Sequence, residues 1–327
     1  MHIYYTNGSH LGCQTIEKME TKKTEDIIVS IITLTYNHEP YIRECLDGIL
    51  MQQTSFKFEL LIHDDASTDN TANIIREYAT KYPNIIKPIY QTENQYSQKV
   101  PIGCTYLYPR AQGKYIALCE GDDYWTDPLK LQKQVDFLES HPDYVMCSHR
   151  FKQYMQKEGI YKDDWYGEVP NGITYDLNSL IQGFWFHTPL TVMFRRDSLC
   201  LAEYEKYPNS KDATLFFHLL QKGRGFMIPE FMGMYRVHSG GVWSGVSEGS
   251  QMEADFKNRI GIYTVEQSYE AAFFLRQLFA KPLSRKWMLQ EWKTMMASFK
   301  IISKHFGYAN TSKMFLKKLL LNQDLIH

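Results

Sequence analysis

Tyr115-Ile116-Ala117-Leu118-Cys119-Glu120-Gly121-Asp122-Asp123-Tyr124-Trp125 is the stretch that decides how this chain folds. Its first five residues form an apolar run of the length expected for a strand covered on both faces. Three carboxylates follow within four residues. Crowded at the end of a buried strand, they repel one another and lose hydration. A hard divalent cation relieves both penalties, because Mg2+ and Mn2+ favour oxygen ligands and are held by one or two carboxylates plus substrate phosphates. The carboxyl ends of strands in an open α/β sheet are also where ligands bind. Taken alone, an acidic triplet reads better as a solvated turn than as a metal site; its neighbours decide between the two.

Upstream, Ile27-Ile28-Val29-Ser30-Ile31-Ile32-Thr33-Leu34-Thr35 is a β-branched run, the pattern of a central strand. Tyr36-Asn37-His38-Glu39-Pro40 breaks it, and Ile42, Cys45, Leu46, Ile49 and Leu50 then recur at helical spacing. Phe58 to Ile62 is a second strand ending in His63-Asp64-Asp65, and Ser67-Thr68-Asp69-Asn70-Thr71 supplies capping residues for a helix to about Tyr78. A weaker strand spans residues 85–90, with Pro88 placing it near an edge. Downstream, Asp127-Pro128 starts a helix that His141-Pro142 ends, and residues 144–148 read as the next strand. Strands alternating with helices from 27 to 148 predict a mostly parallel α/β sheet. Thr35-Tyr36-Asn37, Asp64-Asp65 and Glu120 to Asp123 then fall along one rim.

Residues 151–190 read as loop-rich and aromatic, including Trp165, Tyr166, Phe184, Trp185, Phe186 and His187. A short strand, 191–194, runs into Arg195-Arg196, and Asp212 precedes an amphipathic helix, 213–221. Residues 224–229 and 231–237 are strand-like, and His238 to Ser244 is a Gly-rich loop. The expected organisation is an N-terminal extension (1–25), an α/β domain (26–250) and a helical, basic C-terminal region (251–327). Between Lys281 and His327 there are nine Lys/Arg against two acids. That local excess fits either an anionic membrane surface or a solvated basic face.

Bulk properties narrow the function classes. A formal net charge of −1 gives no global field directed at nucleic acid. The six cysteines form no CxxC or other metal-ligand pair, as expected of reduced thiols. No secretory h-region and no apolar stretch of about 18 residues is evident, so a cytoplasmic protein, at most peripheral at the inner membrane face, is expected.

The order of these motifs resembles the nucleotide-sugar half of a family 2, inverting glycosyltransferase with a GT-A fold. The motifs are Val29 to Asn37, Asp64-Asp65-Ala66-Ser67-Thr68-Asp69-Asn70-Thr71, Ala111-Gln112-Gly113-Lys114, Glu120 to Trp125, Lys211-Asp212 and Tyr235-Arg236-Val237-His238. The resemblance covers roughly residues 27–245. It implies a Rossmann-like, mostly parallel central sheet flanked by helices. It also implies a nucleoside-diphosphate sugar donor, UDP-linked by preference, and Mn2+ or Mg2+ as cofactor. The acceptor would be a saccharide or lipid-linked saccharide, in a setting of bacterial surface-polysaccharide synthesis. Residue by residue, Thr35, Tyr36 and Asn37 would approach the base and ribose, and Asp65 would bind the uracil-type edge with Asp64 supporting the turn. Glu120-Gly121-Asp122 takes the DxD position, with Asp122 on the metal and Glu120, one methylene longer than the family's usual Asp, near the ribose. Asp123 reads as a supporting residue, His238 as a metal or diphosphate contact, and Asp212 as the general base.

The chemistry agrees with that division. A leaving diphosphate needs its charge neutralised, which a metal does as Lewis acid and template. Inversion needs a carboxylate on the opposite face to take the acceptor's proton. Asp212, remote in sequence from the acidic stretch, can meet that demand where a neighbour within it cannot. Two rivals remain at this level. A nucleotidyltransferase would carry a Gly-rich phosphate loop after the first strand, and Thr35 to Glu39 is not one. A non-catalytic nucleotide-sugar or glycan-binding protein would bind donor without turnover.

Overall fold

The computed structural model describes residues 26–208, 211–241, 245–281 and 285–321. The N-terminal extension, residues 242–244 of the Gly-rich loop and the last six residues lie outside them. The chain runs β1 (Ile27–Thr35), α1 (Ile42–Leu50), β2 (Lys57–Asp64), α2 (Thr71–Lys81), β3 (Ile86–Tyr90), β4 (Tyr115–Leu118), β5 (Tyr124–Trp125) and α3 (Lys130–Ser140). It continues through β6 (Tyr144–Met155), β7 (Ile160–Asp163), β8 (Ile173–Tyr175), α4 (Leu177–Ile181), β9 (Met193–Arg195), α5 (Leu201–Tyr204), α6 (Asp212–Leu220) and β10 (Arg224–Val237). Helices α7 (Glu248–Glu266), α8 (Tyr269–Gln277), α9 (Arg285–Gln290), α10 (Trp292–Phe306) and α11 (Tyr308–Leu321) complete it.

The strands form a ten-stranded sheet in the order β3-β2-β1-β4-β9-β6-β10-β5, with β7 on β6 and β8 on β10. β3, β2, β1 and β4 are parallel, as the alternation of strands and helices predicts. The continuation is not a simple parallel run: three-residue β9 slots between β4 and β6, antiparallel to both. β10 is one long strand where two were expected. It stays paired to β6 by shifting register near Ile228 and Phe231, which absorbs Pro229.

The β-branched runs are explained by burial on two faces. Val29 and Ile31 of β1 point into one core with Leu60, Ile62, Tyr115 and Ala117, against α1, α2 and α3. Their neighbours Ile32, Leu61, Ile116 and Leu118 point into the other, against α4, α6, α7 and α8. Alternate residues thus feed opposite cores, so a polar residue at either parity is buried and gains from a partner within the protein. Ser30 does: its hydroxyl donates to Glu59 (2.7 Å) and accepts from the Gly113 amide (2.8 Å). Each fully buried Ile or Leu contributes about 1.5–3 kcal/mol. Helices α7 and α8 share the second core through Ile262, Ala271 and Phe274, so the C-terminal helices are packed onto the sheet domain. A third cluster, with Phe256, Leu275, Met295, Ile302 and Phe315, closes α7 to α11 on themselves.

Candidate active site

The site grows out of the end of β1. Its last two carbonyls reach sideways in opposite directions: Leu34 accepts from the Gly121 amide (3.0 Å) and Thr35 from the Asp65 amide (3.0 Å). One central strand therefore holds both acidic loops. The β1–α1 turn is stitched to the β2–α2 turn as well. Asn37, in the left-handed region at φ 54°, accepts through its side-chain oxygen from the Thr68 amide (2.8 Å), and its own amide donates to Ser67 Oγ (2.9 Å). The His38 amide donates to Thr71 Oγ1 (2.9 Å), and the Glu39 amide to Asp69 (3.0 Å). Ser67 and Asp69 are thus occupied in turn structure. Thr35 is buried and Asn37 is engaged in these loops, whereas Tyr36 is 43% exposed at the rim.

Asp65 is buried, and its two carboxylate oxygens accept from the amides of Gln95 (2.7 Å) and Tyr96 (3.0 Å). It hangs the loop after β3 over the end of the sheet. Tyr96 extends that loop to the start of α6, where its hydroxyl accepts from Lys211 Nζ (2.8 Å). Lys211 immediately precedes Asp212, the first residue of α6. The motif around Asp65 and the Asp212 region, 147 residues apart by number (212 − 65), are therefore bridged by one residue, Tyr96, through its backbone amide at one end and its hydroxyl at the other.

Glu120, Asp122 and Asp123 each offer an oxygen within 4.8 Å of the others. Gly121 between them is sterically required: a Cβ there would lie 2.9 Å from Thr35 and from His38 Nδ1. Asp123 is turned inward, accepting from the Arg236 amide (2.8 Å). Arg236 is an anchor. Its Nε donates to the Asp122 carbonyl (2.9 Å), its Nη2 pairs with Glu44, and its guanidinium stacks over Tyr41 at 4.8 Å. Asp122 faces two histidines: His238 Nε2 is 3.1 Å from its Oδ2, and His38 Nε2 is 3.8 Å from the same oxygen.

The electrostatics are those of a crowded acidic cleft. Burial, then the charges of Asp212 and Asp122, push the Glu120 carboxyl well up, with Lys211 opposing. Burial and then Asp122 do the same to Asp123. Burial would raise Asp122 too, but the His238 hydrogen bond and the field of His38 outweigh it and hold the carboxylate below its usual range. Burial also raises Asp212, against the pull of Lys211 and backbone N–H groups. Asp212 keeps contact with water, and its charge acts on Glu120.

An all-oxygen donor set suits a hard divalent cation, and the mutual repulsion of Glu120, Asp122 and Asp123 is what such a cation would relieve. The residues fit the group. The structure brings together Thr35, Tyr36, Asn37, Asp65, Glu120, Gly121, Asp122, His238 and, by way of Lys211, Asp212. It also adds residues that the motifs did not single out: His38, Glu44 and Tyr96. His38 stood in the Tyr-Asn-His-Glu break after β1, and a histidine at the carboxyl end of a central strand was the available signal. Elsewhere, Arg195 caps carbonyls of Tyr144 (2.8 Å), Leu138 (2.5 Å) and His141 (3.2 Å), and Arg196 caps that of Ala111 (2.9 Å). His187 is buried with its ring against Phe216 (4.2 Å), so it belongs to the core.

Residues 30–201, just over half of the chain, match the sequence profile of Glycosyl transferase family 2. An uncharacterized protein of Mycobacterium tuberculosis is 37% identical over 220 residues, 66% of this chain and 60% of the relative, so the match spans about three-fifths of that longer protein. The putative teichuronic acid biosynthesis glycosyltransferase TuaG of Bacillus subtilis is 30% identical over 64% of this chain and 79% of its own. Among solved structures, S. aureus TarS 1-349 in complex with UDP superposes with a TM-score of 0.62 at 18% identity, covering 90% of this chain and 89% of that one. The fold is that of the GT-A glycosyltransferases. Together with the acidic loops at the ends of β1, β2 and β4, these matches identify the chain as a member of Glycosyl transferase family 2.

Proposed function

We propose that the chain transfers a sugar, with inversion, from a nucleoside-diphosphate donor to a saccharide or lipid-linked saccharide hydroxyl, in bacterial surface-polysaccharide synthesis. The observation that carries this is the convergence on β1 of two acidic loops, Asp65 on one side and Glu120 to Asp123 on the other, with Tyr96 tying the Asp65 loop to Lys211 at the start of α6. UDP is the preferred donor nucleotide, supported by the motif at Asp65 and by the fold shared with a UDP-bound neighbour.

Asp122 and Glu120 would hold Mn2+ or Mg2+ through oxygen, with His238 offering a nitrogen ligand beside Asp122, and the ion supplies charge neutralisation for the diphosphate when bound. Asp65 positions the loop that covers the nucleotide, and Tyr36 offers an exposed ring at its edge. Asp212 takes the proton of the attacking hydroxyl; burial raises its carboxyl and so strengthens it as a base, while Lys211 and its place at the N-terminus of α6 oppose that rise. The Arg236 contacts to Asp122, Asp123 and Glu44 keep the acidic loop in register. Exposed Trp165 and Phe184, with half-buried Trp185, offer ring faces for a saccharide acceptor.

No helix among the described residues is long and apolar enough to cross a membrane. Access to a lipid-linked acceptor would instead come through the 281–327 region. There Leu289, Trp292, Met296 and Leu316 are exposed alongside Lys293, Lys300, Lys304, Lys313 and Lys317. Such a surface suits anionic lipid.

The test is a screen of nucleotide sugars for Mn2+-dependent release of nucleoside diphosphate. Asp122→Ala and Asp212→Asn should both lose turnover. A donor that binds but is never turned over, with Asp212→Asn silent, would favour the non-catalytic binding protein.

A further inference from the structure

We propose that Lys211 is a leaving-group residue: its ammonium rests on Tyr96 in the free protein and moves onto the diphosphate of the bound donor. The inference depends on the glycosyl-transfer reading and adds a residue to it.

Charge balance calls for such a group. A nucleoside diphosphate departs with about three negative charges at neutral pH. One divalent cation covers only part of that, and it would be shared with Glu120 and Asp122. The neighbouring guanidinium is committed elsewhere, because Arg236 donates to the Asp122 carbonyl (2.9 Å) and to Glu44. Lys211 is placed differently. Its Nζ donates to a neutral hydroxyl, Tyr96 Oη (2.8 Å), and lies 4.5 Å from the centre of the same ring. An exposed contact of this kind is weak and readily exchanged for a phosphate oxygen.

The position is also right. Tyr96 is carried by the loop that Asp65 holds, so Nζ lies towards the nucleotide end of the cleft. The Lys211 backbone adjoins Asp212 at the acceptor end. Its charge reaches Glu120 as well as Asp212. In the transfer step, the bond from the anomeric carbon to the β-phosphate oxygen breaks with its electron pair on that oxygen. The bond from the acceptor oxygen to the anomeric carbon forms, and the acceptor's proton passes to Asp212. Lys211 keeps its protons throughout and donates a hydrogen bond to the departing phosphate. When the diphosphate leaves, the ammonium returns to Tyr96.

The experiment is calorimetric titration of UDP with Mn2+, and of uridine, into the full chain, alongside steady-state rates. Lys211→Met should weaken UDP binding roughly 10- to 100-fold and lower kcat, with uridine affinity unchanged. Lys211→Arg should restore most of the loss. Tyr96→Phe should bind UDP at least as well as the parent, because a competing partner is gone. Parent-like UDP binding and kcat in Lys211→Met would overturn the assignment. Equal losses of UDP and uridine would overturn it too, pointing to a structural role. A parent protein that binds neither UDP nor GDP with Mn2+ and turns over no donor would instead defeat the underlying glycosyl-transfer reading.

Discussion

Gly121→Ala tests whether the acidic loop is clamped against β1. The added Cβ would lie 2.9 Å from Thr35 Cβ, Thr35 Oγ1 and His38 Nδ1, where ordinary contact starts at 3.4 Å. The shortfall is about 0.5 Å (3.4 − 2.9). Thr35 is β-branched, buried and at the end of a central strand, and the His38 backbone is tied to Thr71, so neither neighbour gives way easily. The loop itself must shift, taking Glu120 and Asp122 with it. Overpacking of this kind costs about 1–3 kcal/mol. At roughly 2–4 °C per kcal/mol for chains somewhat shorter than this one, the thermal midpoint should fall by several degrees. Misplacement by about 1 Å at a reacting centre costs on the order of 100-fold in rate. About half that displacement should lower kcat/KM roughly tenfold and weaken Mn2+ binding in parallel. Differential scanning fluorimetry, Mn2+ titration and nucleoside-diphosphate release read the three effects. If all three match the parent, the clamp described here is wrong.

Asp212→Asn should leave UDP affinity within about twofold while lowering kcat by roughly 100- to 10,000-fold, the range for loss of a general base; loss of binding instead would place Asp212 with the donor. Asp65→Ala frees the amides of Gln95 and Tyr96, so limited proteolysis within residues 91–99 should accelerate and UDP affinity should fall; an unchanged cleavage pattern would argue against that anchor. Lys130 is fully buried over the Trp125 ring (3.7 Å), and burial lowers its pKa from 10.5 to about 7. Its folded pKa lies below its unfolded one, so its contribution to stability is present above pH 10.5 and is lost as pH falls towards 7. Lys130→Met should therefore flatten denaturant stability across that window and raise it at neutral pH by about 1–4 kcal/mol. A parent-like pH slope in the variant would refute this.

Much of the fold was legible because two-sided burial leaves an unmistakable pattern. The β-branched run at Ile27–Thr35 and the apolar run before Glu120 could hardly be other than central strands. What escaped was set by tertiary contacts. Three-residue β9 carries too little pattern to announce its antiparallel place between β4 and β6. Residues 224–229 and 231–237 read as two strands, but register shifts carry β10 past Pro229 as one. Within the site, the acids stood out by their density. The His38 and His238 approach to one Asp122 oxygen joins residues 200 positions apart (238 − 38), which local spacing cannot report. The Tyr96 bridge is similarly hidden, because an exposed tyrosine in a Gln/Tyr-rich loop looks like any other.

The central claim is that separate loops of the chain build one cleft with divided duties, metal and diphosphate at Asp122 and proton removal at Asp212. The most direct measurement is Mn2+ titration by electron paramagnetic resonance, with and without UDP, on the parent, Asp122→Ala and Asp212→Asn. UDP should tighten Mn2+ binding in the parent and in Asp212→Asn but not in Asp122→Ala. Identical titration curves for all three proteins would contradict the account.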